Sequence, residues 1–232
     1  MIPKKIHFLW FGKKDKSELI ERCISSWKNL NPDFEIKEWN EQNFDVNSHP
    51  FTKKMYASGH YAFVSDYARL EIIEKEGGVY LDTDMLLVKS LSDLLDTECF
   101  LGKESENIIS AGAFGAIPNH PFISACRSYY DLYNDERITI PRVLTSVYEN
   151  YGAKETLEVY PPETFYPFDA ENIKKYKGQN LDEKTYGVHL WNFSWGTPSQ
   201  KFFKKMGIYS MGKRLVEILG IKRILKKILG YV

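Results

Sequence analysis

Apolar residues recur with helical spacing in residues 63–84 and then give way to a short apolar run. Phe63, Tyr67 and Leu70 are spaced i, i+4, i+7, which predicts one face of an amphipathic helix. Gly77 and Gly78 predict the end of that helix, and residues 79–81 predict a buried strand. The stretch is therefore expected to fold as a helix, a turn and a strand.

Helical and extended patterns alternate along much of the chain. Strands are predicted at residues 5–10 and 34–39, separated by a helix at about 17–30, and residues 85–88 continue the strand that follows the helix. Alternation of this kind predicts an α/β fold with a parallel sheet, whose ligand site lies at the carboxyl ends of its strands. Small residues at 110–121 are consistent with backbone close to a ligand, or with an ordinary strand and loop.

Two charged residues interrupt the apolar side of the predicted helix. Asp66 and Arg69 lie on or beside it, where burial is costly unless each charge has a partner. Asp82 and Asp84 follow the predicted strand and, two residues apart in an extended chain, project to the same side. Paired carboxylates suit Mg²⁺ or Mn²⁺, and such an ion often holds a diphosphate. The pattern indicates an enzyme that handles a nucleotide diphosphate.

Each of these features also has an ordinary structural interpretation. The pair Asp82 and Asp84 could form a solvated turn, and the two glycines could be a plain helix C-cap. Asp66 and Arg69 could form a structural ion pair. The convergence of all three features within 22 residues favours the functional interpretation.

Several motifs together resemble a known family. SDYAR (residues 65–69) and EGGVYLDTD (residues 76–84) look like the donor-binding core of the family 32 glycosyltransferases and of the large clostridial glucosylating toxins. IPKKIHFLWFG (residues 2–12) is similar to the family's first strand, and HLWNFSW (residues 189–195) to its C-terminal motif. The resemblance covers residues 2 to about 200, loosely from about 100 to 185. It implies a GT-A type, Rossmann-like mixed sheet flanked by helices.

The resemblance implies a metal site. Asp82 and Asp84 would bind Mn²⁺ (or Mg²⁺), and Asp82 could also touch the ribose of the donor. His189 matches a metal ligand of related retaining transferases, and neutral imidazole is a reasonable third ligand. A lone histidine in a strand is also often structural, so this role rests on the motif around it. The bound ion would neutralise the UDP leaving group.

The resemblance also implies a site for a UDP-sugar donor. Trp10 matches the residue that stacks on uracil, although a tryptophan at a strand end is also a common core residue. Asp66 and Arg69 match the pair that hydrogen-bonds the donor sugar, and they are the expected catalytic residues. Arg69 could in addition face the diphosphate. Ser194 and Trp195 would close over that diphosphate.

The expected activity is the transfer of a hexose from a nucleotide diphosphate sugar, with UDP as the expected nucleotide, to a saccharide acceptor. The resemblance implies retention of the anomeric configuration, and no carboxylate identifies itself as a nucleophile. A bacterial role in capsule or other surface polysaccharide synthesis is expected. Two alternatives are a non-catalytic nucleotide-sugar binder and a metal-dependent nucleotidyl or phosphoryl transferase. The latter would require a Gly-rich phosphate loop, which the sequence lacks.

Net charge is zero over the 232 residues, but it is unevenly distributed. Residues 201–232 contain nine Lys or Arg and one Glu, and apolar and basic residues separate onto two sides of a helical pattern from Ile218 onward. We therefore predict a domain at 1–200 and a basic amphipathic tail at 201–232 that docks on an anionic membrane surface. The alternative is a C-terminal helix packed on the domain. The expected acceptor is a lipid-linked sugar or an oligosaccharide, and no nucleic-acid partner is expected.

Cysteine content and hydropathy suggest a location. Cys23, Cys99 and Cys126 are odd in number and widely spaced, which predicts free thiols in a reducing compartment. The apolar run at residues 6–11 is too short for the core of a signal peptide, and no apolar stretch reaches the length of about 18 residues that spans a bilayer. A cytoplasmic protein, peripheral at the inner face of the plasma membrane, is expected.

Overall fold

The computed structural model describes residues 1–12, 14–132, 138–178 and 181–192. The strands in these ranges are β1 (Lys5–Leu9), β2 (Glu35–Trp39), β3 (Gly78–Leu81), β4 (Met85–Leu87), β5 (Cys99–Ser105), β6 (Ile108–Ala116), β7 (Leu157–Tyr160) and β8 (Gly187–His189). The α-helices are α1 (Glu18–Leu30), α2 (Pro50–Ala57), α3 (Tyr61–Glu76), α4 (Pro121–Leu132) and α5 (Ile140–Asn150).

The main sheet is mixed, with the strand order β2-β1-β3-β6-β5-β7. Strand β1 is parallel to both β2 and β3, whereas β6 is antiparallel to β3 and β5. The predicted parallel sheet is therefore right for the first three strands and wrong for β6. The physical reason is that two residues connect β5 to β6, and so short a connection can join only antiparallel neighbours. The mixed α/β fold expected from the resemblance is confirmed.

Helix α3 lies at the centre of the packing. All of its residues from Val64 to Ile73 are buried, so the helix is covered on every side rather than on one face. It packs against α2 and α4 and also contacts β1, β3, β6 and α5. The spacing of its apolar residues predicted the helix correctly but underestimated its burial, and Asp66 and Arg69 are consequently enclosed with it.

Gly77 and Gly78 form the junction between α3 and β3. Both have positive φ angles, +62° and +103°, a conformation that L side chains rarely adopt. A Cβ atom at Gly77 would lie 2.6 Å from the Pro118 side chain, and one at Gly78 would lie 2.9 Å from the Lys5 carbonyl oxygen. Because both positions exclude a side chain, the helix ends here and the next strand starts at once. The predicted helix stop is confirmed.

His7 connects this junction to the neighbouring strand. The Trp39 indole N–H donates to His7 Nδ1 at 3.0 Å, so the imidazole proton must sit on Nε2, which donates to the Gly77 carbonyl at 2.9 Å. Burial lowers the pKa of His7 to about 4, although the bond to Gly77 acts in the opposite direction. His7 is therefore a neutral structural group.

Strands β4 and β8 form a separate two-stranded antiparallel sheet, in which Met85 faces His189. Helix α1 anchors β4 from one side. The Trp27 indole N–H donates to the Met85 carbonyl at 2.7 Å, and the Ser26 hydroxyl accepts from the N–H of Leu87 at 3.1 Å. This small sheet brings a distant part of the chain to the end of β3.

The chain divides into two compact units. The first comprises Met1–Pro167 and Asn180–Leu190 and contains all the strands described above. The second comprises Phe168–Gln179 and Trp191–Val232, and in its described part the Trp191 indole N–H donates to the Phe168 carbonyl at 2.9 Å. The predicted tail at 201–232 lies outside the described residues, so it stays a prediction.

The three cysteines are free thiols, as the sequence predicted, and the structure shows that all three are buried. The reducing compartment inferred from them stays a prediction. Within the part of the chain that the structure describes, no helix combines the length and the apolar character needed to cross a membrane.

Candidate active site

The site lies where β3 ends. Asp82, Thr83 and Asp84 form a turn between β3 and β4, closed by a hydrogen bond from the N–H of Met85 to the Asp82 carbonyl at 2.9 Å. The sequence prediction assumed an extended chain, in which the two carboxylates would project to the same side. The backbone here forms a turn instead. The turn nevertheless keeps both carboxylates beside His189, which enters from β8 opposite Met85.

Asp82, Asp84 and His189 form a cluster whose potential ligand atoms all lie within 4.8 Å of one another. His189 Nε2 is 3.2 Å from Asp84 Oδ1 and 3.8 Å from Asp82 Oδ2. Two ligand atoms that each lie about 2.1 Å from a bound Mg²⁺ or Mn²⁺ ion are at most about 4.2 Å apart. Small side-chain rotations would therefore let all three residues coordinate one ion. Two carboxylates and one imidazole also match the ligand preference of Mn²⁺. The residues present fit a divalent cation.

The electrostatics of His189 support the same interpretation. Burial disfavours the imidazolium, but the Asp84 and Asp82 carboxylates outweigh burial and raise the pKa of His189 to about 10. The proton on His189 thus supplies positive charge beside the buried Asp84 and the partly exposed Asp82. A metal ion at the same place would supply that charge instead and would bind the neutral imidazole.

Arg69 connects the helix to the strand exit. Its guanidinium donates to Asp66 Oδ1 and to Asp82 Oδ1, both at 3.1 Å, and to the Ala111 carbonyl at 2.9 Å. Burial alone would lower the pKa of Arg69, but Tyr80, Asp82 and Asp66 reverse this and raise it. The ion pair that the sequence left open is therefore present, and it extends to the candidate metal ligand Asp82.

Asp66 has a second partner on the opposite side. Its Oδ2 accepts a hydrogen bond at 3.2 Å from the N–H of Ile140, the first residue of α5. Burial raises the pKa of Asp66 to about 6, against the favourable charge of Arg69. Each carboxylate oxygen has two acceptor sites, so a sugar hydroxyl could still bind beside these two donors.

Tyr80 is a site residue that sequence reasoning missed. Its hydroxyl donates to Asp82 Oδ1 at 3.0 Å, and the Arg69 guanidinium lies over its ring at 4.4 Å. The signal was available, because residues two apart in a strand share a face and Tyr80 precedes Asp82 by two. Asp82 Oδ1 therefore has two donors, while Oδ2 faces His189.

Gly112 lies in the stretch of small residues at 110–121 and packs directly against Asp82. Its carbonyl accepts from the N–H of Asp82 at 2.8 Å, and a Cβ atom at this position would lie 2.9 Å from Asp82 Oδ2. The neighbouring Ala111 carbonyl binds Arg69. The strand interpretation of this stretch is thus confirmed for β6, and its closeness to a bound ligand stays a prediction. The backbone of β6 lies against the candidate ligand Asp82.

Trp10, Ser194 and Trp195 are the other residues predicted to bind the UDP-sugar donor. Trp10 follows β1 at the same edge of the sheet as Asp82, but the residue is only 8% exposed and its indole N–H donates to the Lys14 carbonyl at 2.7 Å. The ammonium group of Lys16 lies 5.7 Å from the ring centroid. Stacking on uracil stays a prediction. Ser194 and Trp195 lie outside the described residues.

Two family models match the chain around this site. Residues 17–101 match a glycosyltransferase sugar-binding region containing the DXD motif, and residues 116–207 match the conserved region of alpha 1,4-glycosyltransferases. The first match includes Asp82 and Asp84, and the second includes His189. Both parts of the chain therefore resemble glycosyltransferases in sequence.

The similar proteins agree with these matches. Lactosylceramide 4-alpha-galactosyltransferase of Mus musculus is 33% identical over 151 residues, which are 56% of this chain and 40% of that protein. Alpha-1,4-N-acetylglucosaminyltransferase of Homo sapiens is 27% identical over 146 residues, 55% of this chain and 42% of that protein. The chain thus spans less than half the length of these two relatives.

Two solved structures show the same fold. The PaToxG glycosyltransferase superposes with a TM-score of 0.55 at 20% identity, over 65% of this chain and 70% of its own. The galactosyltransferase LgtC, solved with donor and acceptor sugar analogues, superposes with a TM-score of 0.52 at 15% identity, over 90% of this chain and 95% of its own. The α/β architecture is therefore that of the GT-A glycosyltransferases.

Proposed function

We propose that this glycosyltransferase transfers a hexose from a UDP-sugar to a saccharide acceptor and uses Mn²⁺ or Mg²⁺ bound by Asp82, Asp84 and His189. The observation that supports this most strongly is the cluster of these three side chains at the strand exit, within a chain that matches DXD glycosyltransferases. When bound, the ion supplies positive charge to the diphosphate leaving group as the glycosidic bond breaks.

The surrounding residues have distinct roles in this proposal. Arg69 and Tyr80 hold Oδ1 of Asp82, which leaves Oδ2 for the cation. Asp66 offers its remaining acceptor sites to hydroxyls of the donor sugar, and Trp10 offers its ring to uracil. Because Arg69 is buried and bonded to both Asp66 and Asp82, it keeps the sugar site and the metal site in a fixed relation.

The stereochemistry and the family are part of the same proposal. We place the chain among the family 32 glycosyltransferases, on the SDYAR and EGGVYLDTD motifs, and expect retention of the anomeric configuration. The names of both relatives describe transfer in an alpha linkage to position 4, which favours an α-linked product here too. Galactose is the first donor sugar to test, since one relative and one solved structure are galactosyltransferases.

The acceptor is proposed to be a lipid-linked sugar or an oligosaccharide of a bacterial capsule or another surface polysaccharide. Support comes from the mouse relative, whose named acceptor is a glycolipid. A lipid-linked acceptor cannot leave the bilayer, so the enzyme must work at the membrane surface. We therefore propose a cytoplasmic protein that is peripheral at the inner membrane face through its basic residues 201–232.

Product analysis tests the proposed reaction. The full chain is incubated with Mn²⁺ and, in turn, UDP-galactose, UDP-glucose, their N-acetyl forms and GDP-mannose, with and without saccharide acceptors. Release of UDP that increases with acceptor supports the glycosyltransferase proposal. Binding of a donor without any release would indicate a non-catalytic binder, and release of a nucleoside monophosphate or pyrophosphate would indicate a nucleotidyl or phosphoryl transferase.

A matched pair of variants makes the same assay specific for the site. Asp84→Asn changes a candidate ligand, whereas Asp96→Asn changes an exposed carboxylate in the connection between β4 and β5. The first should abolish metal-dependent release and the second should not change it. Equal activities would show that the cluster is not the metal site.

A further inference from the structure

A short segment after β7 runs along β8, opposite β4. The Thr164 carbonyl accepts from the N–H of Tyr186 at 2.9 Å, and the Phe165 carbonyl accepts from the N–H of His189 at 3.0 Å. The backbone of His189 is therefore bonded to this segment while it faces Met85 of β4 in the small sheet. Prolines at 161, 162 and 167 are consistent with the lack of a long regular element in this segment.

Tyr166 is the side chain that this segment directs towards the candidate metal site. Its ring is buried, and its centroid lies 5.4 Å from that of His189 at an interplanar angle of 47°. Burial raises the pKa of Tyr166 well above its usual range, while the Ser110 hydroxyl and the Gly112 N–H act on the phenol oxygen in the opposite direction. The hydroxyl end of the ring thus lies close to Gly112 of β6.

The surroundings of Gly112 show how closely Tyr166, Asp82 and His189 approach one another. A Cβ atom on Gly112 would lie 2.6 Å from the Tyr166 hydroxyl oxygen, 2.9 Å from Asp82 Oδ2 and 3.5 Å from His189 Cδ2. Side chains from three different parts of the chain therefore converge on one backbone carbon. Any side chain at position 112 would have to displace the tyrosine or the carboxylate.

We propose that Tyr166 is a positioning residue for the metal site, whose ring fixes the plane of the His189 imidazole so that Nε2 points at Asp84 and Asp82. Gly112 admits the tyrosine hydroxyl and Asp82 Oδ2 side by side. The inference rests on the proposed function, because a divalent cation is what this positioning serves. Without the ring, the imidazole could take other rotamers, and a ligand that must be ordered on binding holds the ion less tightly.

Mn²⁺ affinity of the full chain, measured by calorimetry and by the paramagnetic resonance of free Mn²⁺, tests this without reference to turnover. Tyr166→Leu should raise the Mn²⁺ dissociation constant about 10- to 100-fold, the usual range for residues that orient a metal ligand. Tyr166→Phe keeps the ring and should bind within about 3-fold of the wild type, well below that range. Gly112→Ala should weaken binding as Tyr166→Leu does.

Phe100→Leu is the matched control. Phe100 is fully buried and stacks on Phe165, the neighbour of Tyr166, at 6.2 Å, so it tests for general loosening of the same region. It should lower thermal stability but leave the Mn²⁺ dissociation constant unchanged. If Tyr166→Leu does not fold, Tyr166→Met, which also lacks the ring, replaces it.

The outcomes separate the two proposals. Wild-type Mn²⁺ affinity in Tyr166→Leu, or equal weakening in Phe100→Leu, would overturn the positioning role while leaving the proposed function in place. A wild-type chain that binds no Mn²⁺, with UDP present or absent, would overturn the metal site itself and the positioning role with it.

Discussion

The hydroxyl of Tyr80 donates a hydrogen bond to Asp82 Oδ1 at 3.0 Å, and the Arg69 guanidinium donates to the same oxygen at 3.1 Å. One oxygen of this carboxylate is thus bound by two donors before any ligand arrives. The other oxygen faces His189 at 3.8 Å. Such partners fix the orientation of a metal-binding carboxylate and reduce the entropy lost when the ion binds.

Tyr80→Phe should therefore weaken the metal site while keeping the aromatic ring under Arg69. A hydrogen bond to a charged group is worth about 2 kcal/mol, so some stability is lost, and the Mn²⁺ dissociation constant should rise by about 10-fold. Calorimetric titration with Mn²⁺ and urea unfolding measure the two effects. Tyr130→Phe is the control, because the buried Tyr130 hydroxyl has no hydrogen-bond partner among the described residues. Unchanged Mn²⁺ affinity in Tyr80→Phe would contradict this role.

Asp82→Asn and Asp84→Asn should each remove metal-dependent turnover without unfolding the protein. A bound metal contributes several kcal/mol of charge stabilisation in the transition state, so donor hydrolysis should fall by about 100-fold or more. Asp84→Asn is the more specific variant. Asp82 also pairs with the buried Arg69, so removing the Asp82 carboxylate would leave the Arg69 charge with fewer partners. Hydrolysis rates and thermal unfolding curves are compared for each variant. Wild-type rates in both would rule out the metal site.

Trp10→Ala should weaken UDP binding by about 1–3 kcal/mol if the indole stacks on uracil. Trp10→Phe separates stacking from packing, because phenylalanine keeps an aromatic face but cannot donate to the Lys14 carbonyl. We expect Trp10→Phe to retain most of the affinity. The measurement is calorimetric titration with UDP in the presence of Mn²⁺. Equal affinity in the wild type and Trp10→Ala would mean that Trp10 is a core residue only.

His7 makes the stability of the fold depend on pH independently of the site. Its pKa is lowered to about 4 in the folded protein against 6.5 for a free histidine, so the unfolded chain binds more protons between these values. His7 therefore lowers the unfolding free energy as the pH falls from about 6.5 to about 4, by roughly 3 kcal/mol.

His7→Gln isolates this contribution, since an amide can donate or accept but carries no titrating proton. Urea unfolding at pH 7 and at pH 4 gives the change in the free energy of unfolding for each protein. The raised pKa of the buried Asp66 has the opposite effect on stability, but this effect is common to both proteins and cancels in the comparison. The free energy of unfolding of the variant should fall by about 3 kcal/mol less than that of the wild type over this pH range. The same loss in both proteins would show that His7 does not titrate as stated.

The basic tail should bind anionic membranes. Residues 201–232 lie outside the described residues, so this prediction rests on the sequence, in which Lys222, Arg223 and Lys226 fall opposite an apolar face. Each basic residue near the surface contributes about 1 kcal/mol at low salt. Liposome flotation compares the full chain, a chain ending at Gln200 and a full chain with these three residues changed to Glu. Equal recovery of all three with anionic vesicles would contradict membrane docking.

Local sequence patterns determined the core of the candidate site. The spacing of Phe63, Tyr67 and Leu70 predicted α3, because helix periodicity is a local property. The two glycines predicted its end, because glycine adopts positive φ angles readily. The short run before Asp82 predicted β3, also from a local pattern. These patterns also placed both aspartates at a strand exit, and the turn that they form had been left open as the alternative to an extended chain.

Only the tertiary structure decided which distant groups meet these aspartates. His189 was named through a family resemblance, but its contact with Asp84 depends on the pairing of β8 with β4, which no local pattern records. Likewise, Tyr166 and Gly112 come together because a segment after β7 lies between β8 and β6. The sequence shows that buried charges such as Arg69 need partners, because burial without them is costly. Which groups become those partners is determined by strand pairing and packing between parts of the chain that are far apart in sequence.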